Sequence, residues 1–129
     1  MSFLAPHLQA SGNIRPSRFV KVSGNFTGAE AGAGEKICGV SMEGTNTAPI
    51  PGITSQYAAE SGQPLQLHGQ GAICLLTLGT GGCTANDYLK ADSAGAGVVA
   101  SSGDESGALA LQAGSAAEKV LVQVLIRKA

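Results

Sequence analysis

Lys119-Val120-Leu121-Val122-Gln123-Val124-Leu125-Ile126-Arg127 decides the fold of this chain. Val120, Val122, Val124 and Ile126 recur at every second position, so an extended backbone puts all four on one face. Working back from that strand, Leu89 to Ala91 and Gly97 to Ser101 are set to pair across Asp92-Ser93-Ala94-Gly95-Ala96. That is a hairpin loop with glycine available for a positive φ. Ala72 to Leu78 reads as a strand buried on both faces, and Leu65-Gln66-Leu67 alternates and ends at His68-Gly69. Ala108 to Leu111 reads as a short strand or turn. Lys36 to Met42 and Arg15 to Val22 complete the set, with residues 23–35 between them as Gly/Ala turn material. Residues 43–64, with Gly44, Pro49, Pro51, Gly52, Gly62 and Pro64, read as a long connection, part of which is expected to touch a partner. Helix has one weak candidate, Ala108 to Lys119, which contains Gly114 and lacks a cap. About seven or eight short strands separated by turns predict an all-β, small single-domain β-sandwich or β-barrel.

Composition narrows the function. A chain of 129 residues suits one domain. With net charge −1 and only 13% of residues charged, no clustered cationic surface is expected to hold nucleic acid or an anionic membrane. Arg15, Arg18 and Lys21 are the tightest basic group and read as a solvated strand face. Nineteen glycines, no Trp and five Phe and Tyr in all leave a core of Leu, Val, Ile and Ala. Such a thin core makes burial between subunits the expected supplement, hence a homo-oligomer. No apolar run is long enough for a membrane span, and no secretory leader is visible.

Signals that look chemical have simpler readings. Gly95-Ala96-Gly97-Val98-Val99-Ala100 matches a loose dinucleotide fingerprint, but it follows a turn and leads into β-branched residues, where a helix N-terminus is required. His7 and His68 have no ligand partners at useful spacing, and His68 reads as a polar strand end. Cys38, Cys74 and Cys83 show no metal-ligand spacing and read as reduced thiols, Cys83 the more exposed because it lies in a Gly-rich turn. Asp104 and Glu105 read as a solvated turn. No catalytic group, cofactor site or metal site is expected. Residues 1–14 read as an extended N-terminal arm ahead of a β-domain at 15–129. In that arm Phe3, Leu4 and Leu8 are candidate residues for a partner interface, since exposed apolar side chains are costly in water.

The order of these pieces resembles the small head decoration (cement) proteins of tailed bacteriophages. Asp87-Tyr88-Leu89-Lys90-Ala91-Asp92-Ser93-Ala94-Gly95-Ala96-Gly97-Val98 is similar to their D-x-L-x-x-D-x-x-G-x-G-V hairpin. A Gly-Ala-Leu segment from Gly107 and the final Glu118 to Val124 strand follow, with Ala117 where a Gly is usual. Ala33 to Ser41 is similar to an earlier strand of that family. The resemblance implies a virion protein on the outer capsid surface, made in the host cytoplasm, which binds the expanded head and bridges subunits of the major capsid protein. It implies a homo-oligomer, a trimer rather than a dimer, with no cofactor and no dealings with nucleic acid or membrane. Two other classes stay open. One is a non-viral oligomeric β-domain acting as an accessory or carbohydrate-binding module, for which more Trp or Tyr is expected. The other is an enzyme subunit with a site shared between chains, which the missing His/Asp/Glu constellation disfavours.

Overall fold

Residues 7–42 and 57–128 are described by a computed structural model. Ten strands and no helix are present among them: β1 His7–Ala10, β2 Phe19–Gly24, β3 Thr27–Glu30, β4 Gly39–Ser41, β5 Pro64–His68, β6 Ile73–Thr77, β7 Tyr88–Ala91, β8 Gly97–Val99, β9 Glu105–Ala110 and β10 Lys119–Lys128. The chain is all-β, as its alternation predicts. β1 to β5 close into a barrel of order β1-β3-β2-β4-β5, in which β1 and β3 run parallel. β6 to β10 form a second sheet of order β6-β10-β9-β7-β8. A parallel bridge between Leu78 and Gly97 ties the outer strands of that sheet together.

Several expectations change. Residues 7–14 are not an arm: β1 pairs with both β3 and β5, and Ile14 is wholly buried. Phe3 and Leu4 lie outside the described residues, as does most of the 43–64 connection. Thr27–Glu30 is a strand where turn material was expected, because the pairing partners Val20 to Val22 supply the order that its own Gly28 and Ala29 lack. Ala108 to Lys119 is the end of β9, an eight-residue connection bridged to Cys83 at Gly114, and the start of β10; Ala108 and Ala110 are small enough to face the interior beside Val122 and Val124. β6 is buried on one face only: Cys74 and Leu76 point inward, and Ile73 is 62% exposed. Cys83 is buried too.

The two halves repeat each other. β2 pairs with β4 through Phe19↔Val40 and Val20↔Gly39, and β7 pairs with β9 through Tyr88↔Leu109 and Leu89↔Ala108, a constant shift of 69 residues. The same shift carries Val20↔Glu30, Lys21↔Ala29 and Val22↔Gly28 onto Leu89↔Val99, Lys90↔Val98 and Ala91↔Gly97. A shift of 55 carries β5 onto β10, so that Val40↔His68 and Ser41↔Leu67 become Leu109↔Gln123 and Ala110↔Val122. The isolated bridge Ile14↔Ala59 reappears as Cys83↔Gly114. Even the turns agree. Ser17 and Asn86 both have positive φ, as do Gly34 and Gly103, and Gly62 and Ala117. Between Ser41 and Ala59 the first repeat holds 14 residues more than the second holds between Ala110 and Gly114.

Interiors follow the same plan. Ala10, Ile14, Val20, Ala59 and Leu65 fill the first barrel. Their counterparts Leu78, Cys83, Leu89 and Val120 belong to the larger cluster of the second repeat. Phe19, Ala31, Ile37 and Val40 of the first repeat also join that cluster, so one apolar seam joins the halves.

Candidate interaction surface

The seam shows how this fold makes a contact. The β7–β8 hairpin turns at Asp92 to Ala96, where Asp92 Oδ1 accepts the Ala94 and Ala96 amides, an Asx arrangement that fixes the turn. Gly95 sits there at φ +77°, with its Cβ position 3.1 Å from the Phe19 carbonyl oxygen. Its own carbonyl accepts the Phe19 amide at 2.8 Å, and Ala91 O accepts from the Gly34 amide at 3.3 Å. Both Arg15 and Arg18 donate to Ala94 O, at 3.1 and 3.2 Å. Thr77 N donates to Ser17 O at 2.9 Å. The hairpin of the second repeat is thus seated on residues 15–19 of the first.

The basic group is therefore paired, not a solvated face. Arg15 grips Glu30 through Nε and Nη2, each at 3.0 Å, and this bond holds its guanidinium above the ordinary value. Burial, followed by the charge of Arg15, pulls Arg18 below it. Lys21 Nζ meets both oxygens of Glu35 at 2.9 Å, and its counterpart Lys90 meets Asp104 at 3.0 Å. Glu35 also accepts the Gly32 amide, and Asp104 the Ser101 amide. Asp104 is a turn cap, not a loose surface charge.

A second feature lies at the free end of the first barrel. Leu8, Gln9, Phe26, Gly62 and Pro64 line an open cleft of about 380 Å³. Leu8 is half-buried, its methyl group 3.1 Å from the Cβ position of Gly28 across the barrel interior. Phe26 is 83% exposed and Val22 59%. Phe26 also holds φ +55°, a region that bulky side chains seldom occupy. Sequence reasoning singled out Leu8 and missed Phe26 and Val22. The available signal was a phenylalanine set inside Ser23-Gly24-Asn25-Phe26-Thr27-Gly28, a turn where small residues are usual.

Burial pushes both the Cys38 and the Cys83 thiol up, away from the reactive thiolate. Among the described residues no group of three His, Cys, Asp or Glu could hold a metal ion. The Gly95-Ala96-Gly97 run enters β8, not a helix.

No family model matches the chain, and no curated protein resembles it in sequence. Solved structures share its fold. The N base of the head fiber protein gp8.5 of bacteriophage phi29 superposes with a TM-score of 0.59 and 15% identity, covering 95% of this chain and 94% of that one. The two share a fold.

Proposed function

We propose that this protein is a structural component of a phage virion that binds the outside of the expanded head and bridges capsid subunits as an oligomer. The fold shared with a head fiber base, end to end in both chains, carries the reading. An exposed apolar end formed by Leu8, Val22, Phe26 and Pro64 supports the oligomer in this reading, since such surfaces on a small domain mark contacts with other proteins. The major capsid protein is the partner. The function is one of binding and not of catalysis, with no cofactor, and each copy gains by engaging several capsid subunits at once.

Purified protein mixed with isolated heads tests this. It should co-sediment with expanded heads at saturable occupancy and leave unexpanded heads bare. Failure to bind heads of any form would remove the reading.

A further inference from the structure

We infer that the β2–β3 tip of one copy, Val22 to Phe26, seats on the Thr84–Tyr88 face of a second copy of this chain, repeating between copies the contact that joins the two repeats within one. Within the chain, the Ala91–Ala96 hairpin lies on residues 15–19, and both sides are covered. Ser17 and Phe19 are wholly buried, and Gly95 and Ala96 are buried too. The shift of 69 residues that relates the repeats places Phe26 at the position of Gly95, Asn86 at that of Ser17, and Tyr88 at that of Phe19. Those counterparts are uncovered: residues 22–26 and 84–86 are exposed, and Asp87 and Tyr88 are half-buried. One chain thus carries the contact once in full and each of its halves once more, unpaired. Two different patches that complement each other make a head-to-tail contact.

The chemistry of the free halves suits this occupant. Phe26 and Val22 bring apolar surface to a face where Arg127 lies 5.3 Å from the centre of the Tyr88 ring. Aromatic and arginine side chains are the usual anchors of protein contacts. Asn25 stands at the position of Ala94, and Asp87 at that of Arg18, so an amide donor meets a carboxylate where guanidinium meets carbonyl within the chain. One difference is built in. Phe26 O already accepts the Gln9 amide at 2.8 Å, so side chains make the contact between copies where the Gly95 carbonyl makes it inside one. A bulky residue kept in the left-handed region with its ring in water fits a binding role.

This inference deepens the oligomer in the reading above, but its test uses purified protein without heads, so its failure leaves capsid binding untouched. The Cβ position at Gly95 is 3.5 Å from Arg18 Cβ, within the roughly 3.5–4.5 Å of a disulfide. Phe26→Cys copies mixed with Asp87→Cys copies should therefore form an oxidised dimer, mapped to the two substituted positions, that neither variant forms alone. Should Asp87→Cys fold poorly, sedimentation of a Phe26 variant carries the test, since that side chain is 83% exposed. Phe26→Asp should weaken self-association about tenfold or more with an unchanged melting temperature. Cross-linking of Phe26→Cys to itself as fast as in the mixture, or none in the mixture, overturns the inference.

Discussion

The β2–β3 and β7–β8 hairpins have one backbone register and opposite surroundings. At the tip of the first stands Phe26, almost wholly in solvent; at the tip of the second, Gly95 is pressed against the Phe19 and Ala31 carbonyls. Their bases are alike, with Gly28 opposite Val22 and Gly97 opposite Ala91. The contrast marks where the two repeats are free to differ. Inward positions stay apolar because a close-packed interior has no room for an unpaired polar group. Outward positions answer to what covers them, and among the described residues the β7–β8 tip is covered and the β2–β3 tip is exposed.

The largest effect should come from the same outward position in the two repeats. Phe19 is wholly buried in the seam, so Phe19→Ala should cost about 3–5 kcal/mol. Tyr88→Ala removes a half-exposed ring stacked with Arg127 and should cost about 1 kcal/mol in dilute protein. Urea denaturation of both variants checks the ratio. Equal losses would mean that the seam is not what separates the repeats.

Next comes the glycine both hairpins share. An alanine at Gly97 would put its methyl carbon 2.6 Å from Leu76 Cδ2, in a packed interior that must shift to admit it, and should cost about 1–3 kcal/mol. At Gly28 the nearest atoms, of Leu65 and Leu8, are 3.1 Å away, and Leu8 borders the open cleft. Gly28→Ala should cost under about 1 kcal/mol. Thermal melts of the pair would show whether the first barrel is the looser one.

Part of this was legible in the sequence. β10, β5, and the β7–β8 pair announce themselves by alternation or by a Gly-bearing turn between apolar runs, and the all-β class follows. β1 and β3 do not: Gln9, Ala10, Thr27, Gly28 and Ala29 have little strand preference and are ordered by their neighbours across the sheet. The duplication was hidden for two physical reasons. Interior positions exchange one apolar residue for another, Ile14 for Cys83 and Val20 for Leu89, which preserves packing while erasing identity. The extra residues between Ser41 and Ala59 also break the period midway. Of the candidate surface only Leu8 was found, because a lone exposed Phe26 is recognised from its neighbours in space.

Smaller in energy, but directed at the hairpin contrast, is Phe26→Gly. A side chain at φ +55° is strained, so glycine should stabilise the isolated chain by up to about 1 kcal/mol, less its own entropy cost. The same change should weaken self-association. A variant that melts higher and assembles less marks Phe26 as kept for contact; one that melts lower would show the ring packing on its own barrel.

The smallest effect concerns the repeated ion pairs, Lys21–Glu35 and Lys90–Asp104. Both carboxyls are held below the usual carboxylate range, but for different leading reasons: the Lys21 ammonium for Glu35, and the Ser101 amide for Asp104. A carboxyl depressed in the folded state adds stability above its unfolded pKa, and that stability is lost as pH falls through the lower folded value. The melting temperature should therefore decline on acidification below about pH 4, and the double variant Glu35→Gln, Asp104→Asn should flatten that decline. Salt separates the two repeats. At about 1 M salt, where the screening length is ~3 Å, the Glu35 carboxyl should return toward its ordinary value more than Asp104, whose main partner is a fixed backbone dipole in contact. Carboxyl titration by NMR with and without salt reads this directly. Equal recovery in both would show that charge, not the turn backbone, sets the Asp104 value as well.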